Sequence, residues 1–293
     1  GVCAGAANMD AGRIARQMAF DFHGASNASH AAPILFDGRK VSLPGAAYAA
    51  ATQIDNLDAH DGYNPTRGHI GCAVIPALFA FASQRSELTG RQALIALVMS
   101  YEFSARAALA LHGSVSDYHT SGAWNALGVA ALGSHLRGHD TETLRQALGI
   151  AEYHGPRSQM MREIANPSML HDGTGFGAPV GIYAVLMAED GFWGAPAATL
   201  EFDDAAHAWS DLGDTWLTTQ QYIKPYPICR WAHAPIDAAR QLRTAHNFDH
   251  EAIESVDIYT FRHSADLNCE VPTSCPQAQY SLAWPVAAMQ RRL

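Results

Sequence analysis

The sequence has little charge, and what charge it has is mostly negative. Charged residues make up 16% of the 293 positions, and 28 Asp and Glu outnumber 19 Lys and Arg, which gives a net charge of −9 with His neutral. A protein that binds nucleic acid needs a basic surface to displace counterions from the phosphates. We therefore expect no nucleic-acid partner.

Paired cysteines and long apolar runs are also missing. The cysteines are odd in number and contain no C-x-x-C pair: Cys3, Cys72, Cys229, Cys269 and Cys275. This pattern predicts reduced thiols in a cytoplasmic protein. No run approaches eighteen apolar residues and no signal peptide is recognisable, so we expect no membrane partner. The chain opens on "GVCAGAAN" and closes on "SLAWPVAAMQRRL", and we expect both ends to be truncated.

Helical periodicity dominates what is present. Apolar residues recur with a period of 3.6, small residues are frequent, and Thr89 and Asp140 are suitable N-caps. These signals predict helices over residues 71–84, 89–111, 122–136, 141–153, 174–190 and from Pro235 to about 246. Period-two alternation first appears in "IESVDIYTF", residues 253–261, which predicts a strand. The fold class is therefore mainly α, with an α+β tail.

Titratable side chains gather where predicted helices begin. The segment "NLDAHDGYNPTRGHIG" contains Asp58, His60, Asp61, Arg67 and His69, directly before an apolar helix. Similar positions are taken by His119, by His171 with Asp172, and by Lys224 with His233. A helix N-terminus offers unpaired N–H donors and partial positive charge, which suit a carboxylate ligand. Histidine there can act as acid or base near neutral pH.

Two other interpretations of these residues stand beside catalysis. A single His or Asp before a helix is commonly a cap or a turn residue. His60-Asp61 also resembles the HD dyad of metal-dependent phosphohydrolases, with His23, His30 or His119 as further ligands. No H-E-x-x-H motif or paired Cys ligands support a metal site.

Seven segments, in order, resemble the MmgE/PrpD (2-methylcitrate dehydratase) family. They are "GVCAG", "LDAHDGYNPTRGHIGCAVIPALFA", "YEFSARAALAL", "YHTSGAWNALGVAALGSHLRG", "LHDGTGFGAPVGIYAVLMAEDGFWGAP", "KPYPICRWAHAPIDAA" and "AQYSLAWPVAA". The resemblance implies a large helical domain over residues 1–248, the beginning of a smaller, incomplete α+β lid domain over 249–275, and a return to the helical domain over 276–293. It also implies a homodimer that uses no metal and no organic cofactor.

The resemblance assigns roles by position. It implies catalysis by His69 or His119 as acid or base, with Asp58 tuning one of them. It also implies that the substrate is held by His60, Asp61, Arg67, His171, Lys224 and His233. Three departures from the family stand at His60, where an acid is usual, at Gly62, where Thr is usual, and at Ser168, where Lys is usual.

The expected activity is removal of a proton next to a carboxylate of a small di- or tricarboxylic acid, with loss of water. Epimerisation of an iminodisuccinate-like acid begins with the same proton transfer and is the alternative. The lost Lys at Ser168 makes a decarboxylase of the known type a weaker expectation. A relative that binds carboxylates without catalysis is the remaining hypothesis, because fold alone does not fix function.

Overall fold

A computed structural model describes residues 1–291 of the protein, and it is mainly α-helical with a few short strands, as predicted. The helices are α1 (Val2–Ala6), α2 (Asp10–Phe22), α3 (Leu43–Leu57), α4 (Gly71–Ala82), α5 (Gly90–Ser114), α6 (Gly122–Arg137), α7 (Thr141–His154), α8 (Met160–Ala165), α9 (Thr174–Glu189), α10 (Ala198–Glu201), α11 (His233–His246), α12 (Arg262–Ala265), α13 (Cys275–Gln279) and α14 (Ala283–Gln290). Short 3₁₀ turns cover Ala28–His30, Asn64–Thr66, Asp203–Ala208, Leu217–Gln220, Arg230–Ala232 and His250–Ala252.

The strands form two small antiparallel pairs. Strand β1 (Ala31–Pro33) pairs with β2 (Lys40–Ser42), with Ala32 opposite Val41. Strand β3 (Asp61–Gly62) pairs with β4 (Tyr222–Ile223), with Asp61 opposite Ile223. The second pair matters for the site, because it fixes the backbone of the acidic segment.

Contacts divide the chain into two compact units. The first comprises Gly1–Met160 and His171–Ile223, and the second comprises Met161–Leu170 and the chain from Lys224 onward. The division thus falls after Ile223, whereas we expected the helical domain to continue to 248. In the second unit, α11 packs on α14 through Ile236, Ala239 and Val286. The predicted lid domain stays a prediction.

The first unit is built around α6, which packs against α4, α5, α7 and α9. Its sequence is rich in Ala and Gly, so neighbouring backbones approach closely. A Cβ at Gly128 would lie 1.7 Å from Ser104 Oγ of α5, and one at Gly177 of α9 would lie 2.6 Å from the Gly122 carbonyl oxygen. Small residues at these two crossings are therefore a packing requirement.

The predicted helices are confirmed, and their ends differ from the predicted ones by at most three residues. Thr89 caps α5 in a reciprocal box with Gln92, and the Asp140 carboxylate accepts a bond from the Thr143 amide at 2.8 Å. The strand predicted over residues 253–261 is wrong, because those residues form no helix or strand. Alternation gives a segment two faces, but a strand also needs a partner for its backbone groups.

Among residues 1–291, α5 is the one helix long and apolar enough to cross a bilayer, and more than half of its apolar window is buried inside the protein. Its middle carries a buried ion pair in which Arg106 Nε donates to Glu102 Oε1 at 2.9 Å. The same guanidinium donates to the Ala208 and Thr215 carbonyls, both at 2.7 Å. These features are those of a core helix.

Candidate active site

The acidic segment begins where α3 ends. Asp58 occupies the C-cap in the left-handed conformation, with φ 54°, and this turns the chain out of the helix. Three residues later β3 begins, and its pairing with β4 holds the Asp61 backbone in place. A Cβ at Gly62 would lie 2.3 Å from the Tyr222 ring, so only glycine fits the pairing as it stands.

Two histidines share one backbone acceptor at this point. The rings of His60 and His69 lie 4.3 Å apart between centroids. Their Nδ1 atoms approach the Asp61 carbonyl oxygen at 3.2 Å and 2.5 Å. Because a carbonyl oxygen can only accept, both Nδ1 atoms carry the proton of these bonds. In this orientation the Nε2 atoms of both rings point toward carboxyl groups.

The Nε2 atom of His69 lies 3.3 Å from Asp172 Oδ2. Asp172 Oδ1 in turn accepts bonds from the Ser121 hydroxyl at 2.9 Å and the Ser121 amide at 3.3 Å. The His69 backbone is fixed as well, since its amide donates to Ser121 Oγ at 3.0 Å and its carbonyl accepts from Asn125 at 2.7 Å. With Nδ1 already a donor, Nε2 carries the lone pair of the neutral ring, and a proton that it accepts can be shared with Asp172 Oδ2.

His60 faces a different pair of carboxyl groups. Its Nε2 lies 3.7 Å from Asp58 Oδ1 and 3.8 Å from Asp55 Oδ1. The other Asp55 oxygen, Oδ2, accepts from the Thr174 amide at 3.2 Å. Ligand atoms of Asp55, His60 and Cys72 all lie within 4.8 Å of one another, as do those of Asp58, His60 and His69. Both groups have the donor types that bind metal ions.

Helix N-termini around the cluster are occupied by the protein's own carboxylates. Asp61 accepts the Gly71 amide at the start of α4 at 3.1 Å, and Asp172 accepts the Ser121 amide before α6. Asp55 accepts the Thr174 amide at the start of α9. We expected such amides to be donors for a substrate carboxylate. In this structure these amides donate to carboxylates of the protein itself.

Burial perturbs several acids of this cluster. Burial raises the pKa of Asp55 well above its ordinary value, and repulsion from Asp172 adds to the shift. Burial also raises the pKa of Asp61, although bonds from the Tyr101 phenol and the Gly71 amide oppose it. For the Cys72 thiol, burial is the largest cause of a strongly raised pKa. A cluster of perturbed groups on ordered helix ends is typical of a functional site.

Sequence comparisons agree with the fold. The sequence model of the MmgE/PrpD N-terminal domain matches residues 1–219, and that of the MmgE/PrpD C-terminal domain matches residues 226–291. The chain belongs to the MmgE/PrpD family. The family match makes the HD phosphohydrolase alternative wrong. Within the described chain, His60 belongs to two groups of possible metal ligands, and neither group includes His23, His30 or His119.

Curated relatives of this MmgE/PrpD protein are distant. A cis-aconitate decarboxylase of Aspergillus terreus is 23% identical over 297 residues, covering 85% of this chain and 57% of the relative. The cis-aconitate decarboxylase-like protein oryM of Aspergillus oryzae is 22% identical over 244 residues, covering 70% and 48%. The chain thus spans about half the length of the curated relatives it matches. These relatives support a dehydratase or decarboxylase type of family.

The cluster contains four of the residues singled out in the sequence: Asp58, His60, Asp61 and His69. It also contains Asp55, which the sequence analysis missed, and Asp172, to which it assigned no role. Asp55 is the only charged residue of α3, and a lone acid in an apolar helix is a signal that was available. The partner of His69 is Asp172, whereas Asp58 contacts His60.

The surroundings of the other predicted residues assign them no role. Arg67 is exposed, with its guanidinium 5.6 Å from the centre of the Tyr118 ring. His171 is buried next to Asp172, and His119 is buried beside a backbone bridge to Gln159. Lys224 and His233 belong to the second unit, where His233 Nε2 lies 3.1 Å from the Ile228 carbonyl oxygen. Their binding roles stay predictions.

Proposed function

We propose that this protein is a lyase that removes a proton next to a carboxylate of a small di- or tricarboxylic acid and then expels water. The observation that carries the proposal is the His69–Asp172 pair, with an imidazole oriented by a backbone carbonyl on one nitrogen and faced by a carboxylate on the other. Such a carboxylate stabilises the imidazolium that forms when the ring accepts a proton. We propose a homodimer in the cytoplasm, by resemblance to the family.

In this mechanism, His69 carries out both proton transfers. His69 Nε2 takes the α-proton, and the electrons of the broken C–H bond form the new C=C bond as the hydroxyl leaves. The imidazolium returns its proton to that hydroxyl, which departs as water. Between the two steps, the Asp172 carboxylate stabilises the positive charge of the His69 imidazolium. Return of the proton to the opposite face, with no leaving group, gives the epimerase alternative.

Decarboxylation is a second candidate because curated relatives carry the name cis-aconitate decarboxylase. In that reaction the C–C bond to a carboxylate breaks, CO₂ leaves, and the imidazolium protonates the carbanion that remains. The same pair can serve it, since the proton moves in the other direction. The product distinguishes the two reactions.

Proton NMR in D₂O tests the proposal. The purified chain, treated with EDTA, is incubated with 2-methylcitrate, citrate, cis-aconitate and iminodisuccinate. We expect deuterium at an α-carbon and an olefinic product from a hydroxy acid. His69→Ala should lower the rate about 10²–10⁴-fold, while the exposed His154→Gln serves as control. A loss below tenfold in folded His69→Ala protein removes His69 from the role, and the absence of exchange favours a carboxylate-binding relative.

His119 remains the other candidate acid or base. It is 8% exposed, and its Nδ1 makes no hydrogen bond to any described residue. That leaves one ring nitrogen available to a ligand. His119→Ala belongs in the same NMR series, with an expected loss of about 10²–10⁴-fold if it is the second proton-transfer group. A rate within tenfold of wild type would exclude that role.

A further inference from the structure

We propose that Tyr101 is a positioning residue for the proton transfer at His69 and that it acts through Asp61. The proposal rests on the proposed function, in which His69 is the group that moves the proton. The proton-transfer steps themselves use neither the Tyr101 phenol nor the Asp61 carboxylate. These two side chains touch no substrate; they hold the peptide group whose carbonyl orients the His69 ring.

Asp61 connects the support of the His69 ring to two helices. Its backbone carbonyl oxygen lies 2.5 Å from His69 Nδ1. Both oxygens of its carboxylate accept the Gly71 amide at 3.1 Å, where α4 begins. The Tyr101 phenol of α5 donates to the same carboxylate. Because Asp61 is only 6% exposed, solvent contributes little to holding this carboxylate.

Anchoring the carboxylate also restrains the carbonyl. A residue has only two soft backbone torsions, φ and ψ, and ψ sets where the carbonyl oxygen points relative to the side chain. The backbone of Asp61 is paired with Ile223 in the neighbouring strand, and its side chain is fixed between α4 and α5. The carbonyl oxygen of Asp61 is therefore left with little freedom to turn away from His69.

Gly71 provides the space that the Tyr101 hydroxyl occupies. A Cβ at Gly71 would lie 2.2 Å from the hydroxyl oxygen and 3.1 Å from Asp61 Oδ2. The phenol, the carboxylate and the first residue of α4 thus meet at one point. Any side chain at Gly71 would push the hydroxyl away from Asp61, so this close approach requires glycine.

The Tyr101 phenol remains a hydrogen-bond donor across the pH range of the reaction. Burial and the neighbouring Asp61 carboxylate raise the pKa of Tyr101 above its ordinary value of 10. Burial raises the pKa of Asp61 as well, and the bond from Tyr101 is the largest of the effects that lower it. Hydrogen bonds to a charged acceptor are roughly twice as strong as neutral ones. Tyr101 therefore stabilises the charged carboxylate that anchors the peptide group.

The position of the Asp61 carbonyl determines which tautomer of His69 is favoured. With its proton on Nδ1, the neutral ring directs the Nε2 lone pair toward Asp172 and can accept a proton there. The opposite tautomer carries a proton on Nε2, which then cannot act as a base. A displaced carbonyl weakens the preference for the productive tautomer, and loss of the Tyr101 hydroxyl should displace it.

Tyr101→Phe tests the role in catalysis, because it removes the hydroxyl and keeps the ring that packs on the core. We expect kcat for α-proton exchange to fall about 10–100-fold, since small misplacements of reacting groups cost this much. KM should stay nearly unchanged, because no substrate contact is lost. Tyr48→Phe is the matched control, since Tyr48 is also half-buried but stacks on His23. A folded Tyr101→Phe chain with the kcat of wild type overturns the proposal.

Imidazole NMR tests the orientation of His69 without any substrate. Long-range ¹H–¹⁵N spectra of the chain labelled at histidine show which ring nitrogen carries the proton, and His69→Gln identifies the His69 signals. We expect the Nδ1-protonated tautomer in wild type and a mixture of tautomers in Tyr101→Phe. An unchanged His69 tautomer in the variant, or an Nε2-protonated ring in wild type, overturns the proposal. Because this measurement needs no turnover, it separates failure here from failure of the proposed lyase.

A double-variant cycle tests the path through Asp61. Asp61→Ala removes the carboxylate to which Tyr101 donates. Adding Tyr101→Phe to folded Asp61→Ala protein should then lower kcat no further, because the effects of residues in one network do not add. Losses that multiply in the double variant assign the two side chains independent effects and overturn the proposal.

Discussion

Asp55 is a carboxyl group whose environment opposes ionisation. Burial and repulsion from Asp172 raise its pKa well above 3.8, and the bonds from Thr174 offset only part of that shift. The folded protein therefore holds this proton more tightly than the unfolded chain does. The resulting stability is fully present below the unfolded pKa and is lost as pH rises through the folded pKa.

Asp55→Asn should remove this pH dependence. In EDTA, we expect its thermal unfolding midpoint to match that of wild type near pH 4 and to exceed it increasingly toward pH 8. The physical reason is that an amide accepts the Thr174 bond without carrying a charge. Differential scanning calorimetry at several pH values checks the result, with the exposed Asp10→Asn as control. A difference that stays constant with pH would contradict the assignment.

Gly62 shows how one residue controls the backbone that both histidines use. In Gly62→Ala the new methyl group would meet the Tyr222 ring at 2.3 Å. We expect a loss of about 1–3 kcal/mol from overpacking, and slower α-proton exchange because β3 and the Asp61 carbonyl must move. Urea unfolding and the NMR assay measure the two effects. Gly24→Ala has open space and should be nearly neutral.

Single residues were predictable from the sequence where they lie close together in it. The segment from Asp58 to His69 was found because its acids and histidines stand within a few positions of each other. The pairing of His69 with Asp172 was not found, since a long-range contact leaves no mark in either local pattern. Asp55 was missed because its helix has the composition of a core element.

At the scale of elements, the start of α6 links two parts of the site. Ser121 Oγ accepts the His69 amide and donates to Asp172 Oδ1. Ser121→Ala should cost about 1–3 kcal/mol, because it leaves a buried donor and acceptor without their bonds. It should also slow exchange by loosening Asp172. Thr89 is an exposed cap of α5 and provides a control: Thr89→Ala should lower the free energy of unfolding by about 1 kcal/mol and leave the exchange rate unchanged. Urea unfolding and the NMR assay measure the two effects for both variants.

Helices were the most predictable elements, because periodicity and caps are local signals. The bounds of α5 and α7 followed from Thr89 and Asp140, and both caps are present. Strand character over residues 253–261 was misleading for the opposite reason. Strand pairing depends on residues far away in the chain, and an alternating pattern does not predict which residues these are.

At the scale of the first unit, Arg106 ties α5 to the segment that follows α10. The residue is fully buried and binds Glu102, Asp211 and two carbonyls. Arg106→Leu should cost about 3–5 kcal/mol, because Glu102 would remain buried without its counter-charge. Arg145→Leu removes the exposed pair with Glu201 and should cost less than about 1 kcal/mol. Equal losses in thermal unfolding would contradict a buried network.

The position of Ser121 along the chain sets when the site can exist. It stands 52 residues after His69 and 51 before Asp172, and it touches both. Each contact closes a long loop, and the entropic cost of closing that loop must be compensated before the contact stabilises the fold. During synthesis, His69 therefore leaves the ribosome long before its acidic partner exists. Proton-transfer competence is then a late property of the folding chain, and partly folded intermediates that retain helices would lack it.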